Sequence, residues 1–316
     1  MASHSVIAWT IRALLSSDMK QESSAIADSR TALSGLGWGL IGVLAFSFTV
    51  PFTRVAVGGL DPLFIAAGRA VVAALLAGIA LVVTGQPLPR GRQWPRLIVV
   101  ALGVVFGFPL LTTYALTTVP ASHGAVVIAL LPAATAVLAV LRGREHPPVA
   151  FWATAAVGAG VAVLFASVQG GGLGHFHRSD LFLFGAVLAA AVGYAEGGLL
   201  SRTLGSWQTI SWALIVSAPP MTVLTVVSLS RGVPAATPAE WGSFAYLAAV
   251  SMFLGFVAWY RGLAIGPMSR VSQIQLIQPV FTIGWATVLL SEPLTWTTAV
   301  AAAAVIASAA AAVRTR

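Results

Sequence analysis

PASHGAVVIALLPAATAVLAVLRGRE (residues 120–145) and PMSRVSQIQLIQPVFTIGWATVLLSE (residues 267–292) follow one pattern. At a constant offset of 147 residues, Pro120 and Ser122 match Pro267 and Ser269, Pro132 matches Pro279, and Glu145 matches Glu292. The flanking segments also look alike, with a one-residue slip at Tyr114 and Tyr260. Chance matching of loop-edge residues is the alternative; four matches at one offset, in equivalent apolar stretches, weigh against it. Working outward, each copy belongs to a block of five apolar stretches. The ten stretches fall at 33–53, 63–84, 97–118, 122–141, 149–168, 181–201, 207–229, 241–263, 269–290 and 295–313. Each is close to the roughly 20 residues that carry a helix across a hydrocarbon core about 30 Å thick. The expected fold is an all-α integral membrane protein of ten transmembrane helices in two five-helix repeats. Because five is odd, the second repeat enters the membrane from the opposite side, as in many secondary transporters with a site near the midplane.

Composition agrees. The chain is 58% hydrophobic and 8% charged, against about 25% charged residues in soluble domains. The net charge of +8 would suggest nucleic acid in a soluble protein; here Lys and Arg mark cytoplasmic loops. With the N-terminus inside, Arg12, Lys20, Arg30, Arg90, Arg92, Arg96, Arg142, Arg144, Arg202, Arg261, Arg270, Arg314 and Arg316 are cytoplasmic, and Arg54, Arg178 and Arg231 are external. That bias places both termini in the cytoplasm. The expected organisation is a disordered or weakly interfacial tail (1–32), a first repeat (33–168), an external Gly-rich linker (169–180) and a second repeat (181–316). Met19 is a second candidate start. The absence of cysteine removes disulfides, thiolate metal sites and cysteine nucleophiles. His175 and His177 in the linker are a weak metal signal, with no third ligand beside them.

The segments AFSFTVPFTR (45–54), DPLFIAAGRAVVAALLAG around Arg69, YALTTVPASHGAVVIALLPAATAVLAVLRGREHPP (114–148) and YRGLAIGPMSRVSQIQLIQPVFTIGWATVLLSEPLT (260–295) carry a further signal. The chain resembles EamA-type members of the drug/metabolite transporter superfamily over residues 33–313. The resemblance implies tandem five-helix repeats, a central cavity, an inner-membrane location and export or exchange of small metabolites. It departs at one point. Many relatives carry an acidic residue just before the helix-nine proline, where this chain has Gln278, with Leu131 at the equivalent first-half position.

Polar groups inside hydrocarbon are costly and tend to face the bundle interior. In the ninth stretch Gln275, Gln278, Thr282 and Trp285 fall within an arc of about 80° at 100° per residue, which reads as a substrate-contacting face. Glu196 is the one carboxylate placed well inside a crossing. Two roles compete for it: recognising an ammonium group or carrying a proton, or pairing structurally, with Arg261 as the partner of suitable depth. Arg69 reads as structural, or as snorkelling to the outer interface. Tyr114, Tyr194, Trp212 and Trp259 could touch a ring-bearing substrate or simply pack; Trp38, Trp152, Trp241 and Trp296 fit interfacial belts. Pro51, Pro109, Pro132, Pro219, Pro220 and Pro279 interrupt helices, and Pro132 and Pro279 are candidate hinges. The Ala- and Gly-rich fifth and tenth stretches suit close packing or dimer contacts.

These residues point to a secondary transporter for a small metabolite or drug, an amino acid or another neutral or cationic compound, working by alternating access. The chain has no GxxxxGK[ST] loop, and its one lysine is Lys20, so no nucleotide site drives it directly. The alternatives are a membrane-embedded lipid-modifying enzyme, which needs a nucleophile–base set or metal ligands, and a passive channel. The expected partners are a small-molecule substrate and the lipid bilayer, with no nucleic acid, no cofactor, and a monomeric or homodimeric state.

Overall fold

A chain segment in hydrocarbon must satisfy its backbone hydrogen bonds within itself, and every long apolar run here does so as a helix. The computed structural model describes residues 34–143, 148–169, 177–232, 235–265, 271 and 274–314. Among the described residues, seven helices are long and apolar enough to cross a membrane: α1 (Ser34–Ala56), α2 (Pro62–Val83), α3 (Gln93–Ala115), α4 (Ala121–Leu138), α6 (Arg178–Leu204), α7 (Ser206–Leu229) and α8 (Pro238–Ile265). The described residues also hold three shorter apolar helical stretches: α5 (Val149–Phe165), α9 (Gln275–Leu290) and α10 (Trp296–Ala311). The tail at 1–32, Glu145, Gln273 and His175 lie outside the described residues.

Local chemistry sets the helix starts. The Asp61 side chain accepts from Phe64 N–H at 3.0 Å, and Pro62 follows as a first helical residue that lacks a donor to lose. Thr237 and Glu240 form a capping box that encloses Pro238 at the start of α8. A second box, His177 with Asp180, starts α6 at Arg178, three residues before the expected boundary. The end of the expected linker is therefore the first turn of a helix.

The helices pair in a pattern that survives exchange of the two halves. α2 packs along α7, α5 along α10 and α4 against α9. α3 packs on α6, and α1 meets α8 through glycines. A Cβ on Gly103 would lie 2.5 Å from Ala189 O, and one on Gly262 would lie 2.7 Å from Gly39 N. Only glycine permits backbones this close. Wide π-helical turns also recur: Ala101–Gly107 in α3 and Leu247–Leu254 in α8. Shifting the first by 147 residues lands on 248–254.

Prolines shape three helices. Proline has no N–H to give to the carbonyl four residues back. α4 loosens to a turn at Ala129 and Leu130 before Pro132, α9 opens with a 3₁₀ turn (Gln275–Ile277) before Pro279, and α1 breaks at Phe48 before Pro51. Pro219 and Pro220 sit inside α7 without interrupting it.

Candidate functional site

Two cavities lie at these breaks. The first has about 470 Å³ of atom-free space, partly open to solvent, and is bounded by Thr49, Arg69, Tyr194, Ser251, Phe256 and Gln278, among others. The second, about 270 Å³, is bounded by Ile128, Leu131, Pro132, Gln275, Gln278, Pro279 and Thr282, with Val50 and Ala125. Val50, Leu131 and Gln278 line both. The cavities are thus neighbours, sharing a wall where α1, α4 and α9 are all irregular.

Helix phase explains why each side chain arrives there. On α2, Ala66, Ala70, Ala73 and Ala77 are buried, whereas Val72, Leu75, Leu76 and Ile79 are exposed on the opposite side. Arg69 sits on the alanine side, one turn from Ala66 and Ala73. It is 1% exposed and lines the first cavity. It therefore does not snorkel. Its Nε is buried without a partner, and no hydrogen bond or ion pair reaches it among the described residues. Placing an arginine in a transmembrane helix costs about 2.5–3.5 kcal/mol on insertion scales, so an unpaired one demands an explanation.

No described carboxylate offers one. Asp61 holds Phe64 N–H and the Ser228 hydroxyl. Asp180 accepts from His177 N–H at 3.0 Å and meets His123 Nε2 at 2.7 Å. Glu196 pairs with Arg96, across from α3, and not with Arg261, whose guanidinium instead lies 4.8 Å over the Trp38 ring. Glu240 accepts from Thr237 N–H. Glu292 accepts from Ala121 N–H at 2.8 Å and Ser122 N–H at 2.9 Å, capping α4 from the far end of α9. Asp180 is fully buried too, but in the first turn of α6, whereas Glu196 lies well along the same helix.

The polar face of α9 divides. Gln275, Gln278 and Thr282 are buried and line the second cavity. Gln278 Oε1 and Gln275 Nε2 are buried without partners. Thr282 spends its hydroxyl on the Ser47 carbonyl at 3.0 Å, and Trp285 donates its indole N–H to Ser47 Oγ at 3.0 Å. Ser47 is four residues before Pro51, so its carbonyl is the one that Pro51 leaves unbonded. Trp285 also stacks on Phe48 at 4.4 Å. These two residues repair the α1 break.

The aromatics divide too. Tyr194 lines the first cavity and forms a wall with Phe46 and Phe256, with ring centroids 4.9–6.3 Å apart. Trp259 packs behind Tyr194 at 5.9 Å and against Gly42. Trp212 meets Trp94 edge-on at 6.2 Å. Tyr114 is 38% exposed. None of these last three lines either cavity, and neither does Glu196. Thr49 and Ser251, bonded to each other at 2.8 Å across α1 and α8, join the first cavity unannounced by the sequence reading. Two hydroxyls on separate helices carry no pattern until the helices pair.

The comparisons with known proteins agree with this architecture. The EamA-like transporter family model matches residues 33–167 and again 177–314. The chain is 47% identical over 288 residues to the "Uncharacterized transporter YdeK" of Bacillus subtilis (strain 168), covering 88% of this chain and 97% of that relative. It is 26% identical over 253 residues to a "Probable terminal-alkyne amino-acid exporter" of Streptantibioticus cattleyicolor, covering 78% and 83% of the two. A solved crystal structure, 20% identical, superposes with a TM-score of 0.61 over 88% of this chain and 98% of its own, a likeness of fold. With both halves matched, the chain belongs to the EamA-like transporter family and is a multi-pass membrane transporter of the drug/metabolite type.

Proposed function

We propose that this transporter is a secondary exporter of small, amino-acid-like metabolites that works by alternating access. Two five-helix repeats, inverted in a cell (inner) membrane with both termini cytoplasmic, would rock about the junction of the two cavities. One observation carries the reading. Pro132 and Pro279, equivalent in the two halves, bound the same cavity as Gln275 and Gln278, and the helix ladder is broken just before each proline. A hinge placed at the binding surface lets a bend in either helix open or close the site. The exchangeable helix pairing and the repeated π-turns support the two-repeat arrangement. The arginine and lysine bias supports the orientation. Gln275, Gln278 and Tyr194 form the substrate surface, with Thr282 at its edge. Glu196, Tyr114, Trp212, Trp259 and Trp285 belong to the framework.

Counterflow in proteoliposomes tests the reading. With radiolabelled L-norvaline outside, vesicles preloaded with unlabelled L-norvaline should take up label faster than empty ones. Equal rates in the two would indicate a passive pore. Recovery of a chemically altered product would indicate an enzyme.

A further inference from the structure

We propose that Arg69 is the carboxylate-binding residue of the transport site, and that the substrate is a zwitterion rather than a simple amine. The inference rests on the transporter reading above and narrows its substrate class. Arg69 is buried, lines the first cavity, and lacks any protein anion among the described residues. The five described carboxylates are each committed to another group, as set out above. A guanidinium prefers a planar, two-oxygen partner, and a carboxylate supplies it. Thr49 and Ser251, bonded to each other at the same cavity, leave one hydroxyl proton of the pair free for a remaining carboxylate lone pair.

The opposite charge also has a place to go. Gln278 shares the cavity and has a buried Oε1 without a donor, so it can accept from an ammonium. The wall of Phe46, Tyr194 and Phe256 offers apolar surface for a side chain and ring faces for a cation. An unpaired donor, an unpaired acceptor and an aromatic wall around one space match an α-amino acid with an apolar side chain. A purely cationic drug would bring a second positive charge beside Arg69 and be repelled. Until the substrate arrives, Arg69 stays uncompensated; once it does, the substrate carboxylate neutralises the guanidinium and Gln278 and the ring faces take the ammonium.

The test uses full-length protein in nanodiscs and three related probes: L-norvaline, its decarboxylated analogue butylamine and its deaminated analogue valerate. Thermal unfolding reads binding without requiring transport. Wild type should gain about 2–4 °C in Tm with L-norvaline and with valerate, and nothing with butylamine. Arg69→Gln should stay folded, since it removes an unpaired buried charge, and should weaken binding of both acids by about 10- to 100-fold. Arg69→Lys, which keeps the charge but loses the fork, should retain part of the shift and serves if the Gln variant does not fold. Acid-induced shifts that persist in Arg69→Gln, wild type unmoved by both acids, or butylamine matching L-norvaline would each overturn the assignment. Counterflow separates this proposal from its foundation. If wild type shows acid-dependent stabilisation that needs Arg69 but no counterflow, the carboxylate site stands and the reading of a secondary exporter working by alternating access falls. If Arg69→Gln carries L-norvaline at the wild-type rate, the site falls and the transporter stands.

Discussion

α4 and α9 occupy equivalent places in the two halves and face each other across one cavity, yet they present opposite chemistry to it. At the 147-residue offset, Ile128 corresponds to Gln275 and Leu131 to Gln278, and all four line the second cavity. The prolines that follow, Pro132 and Pro279, are identical. So are Thr135 and Thr282, but Thr135 turns back to Leu131 O in its own helix at 2.8 Å, whereas Thr282 reaches across to α1. The prolines are shared between halves, and the polar lining of the cavity is not. On the proposed reading, matching prolines let both halves bend alike, while the polar contacts to the substrate need come from only one of these two helices.

The largest expected effect comes from erasing the difference. Gln278→Leu makes α9 match α4, removes an unpartnered buried amide and leaves the hinge intact. Counterflow of L-norvaline should fall by about 10- to 100-fold, the usual consequence of deleting a hydrogen-bonding group from a site built around it. The folded protein should be slightly more stable, by about 1 kcal/mol, because a buried polar oxygen without a partner has gone. The reciprocal Leu131→Gln, which adds an amide to the other wall, should cost less transport than Gln278→Leu. If both lose transport equally, the cavity reads volume and not polarity.

A middle-sized effect tests whether Trp285 belongs to the framework. Its twin is Leu138. Trp285→Leu loses the indole hydrogen bond to Ser47 Oγ and the stack on Phe48, worth about 1–2 kcal/mol together. The loss should appear in thermal unfolding, while the concentration of L-norvaline giving half-maximal counterflow stays unchanged. A shifted half-maximal concentration would return Trp285 to the binding surface.

The sequence exposed the helices well, because bilayer thickness sets the length of an apolar run and little else competes with it. It exposed the inward face of α9 because four polar residues at helical spacing in hydrocarbon need an interior. It misled on Arg69. Counting residues from the nearer helix end gave a depth but not a direction, and the alanine stripe at Ala66, Ala70, Ala73 and Ala77 was the available clue to direction. It misled on Glu196 for a related reason: depth matched Arg261, but the partner depends on which helices touch, and Arg96 on α3 is the neighbour. Asp180 escaped notice because a helix boundary three residues late left it in a loop. The roles of Thr282 and Trp285 could not be read locally, since their partner Ser47 is more than 230 residues away. Pro51 did announce that a carbonyl at position 47 needed a donor.

That orphaned carbonyl gives the finest form of the comparison. Thr282→Val and Thr135→Val are the same change at equivalent positions. The first leaves Ser47 O at the α1 break with neither its backbone donor nor a side-chain substitute. It should cost about 0.6 kcal/mol, the average for a hydrogen bond between membrane helices, and at most about 1.7 kcal/mol. The second removes a hydroxyl bonded to a carbonyl of its own helix, and should be close to neutral. Thermal unfolding of the two variants side by side decides the matter. A second change sharpens it: Pro51→Ala gives Ser47 O its backbone N–H again, and in that background Thr282→Val should lose most of its cost. If the penalty survives Pro51→Ala, then Thr282 contributes through packing and not by completing the broken helix, and the polar face of α9 owes its threonine to something other than the α1 proline.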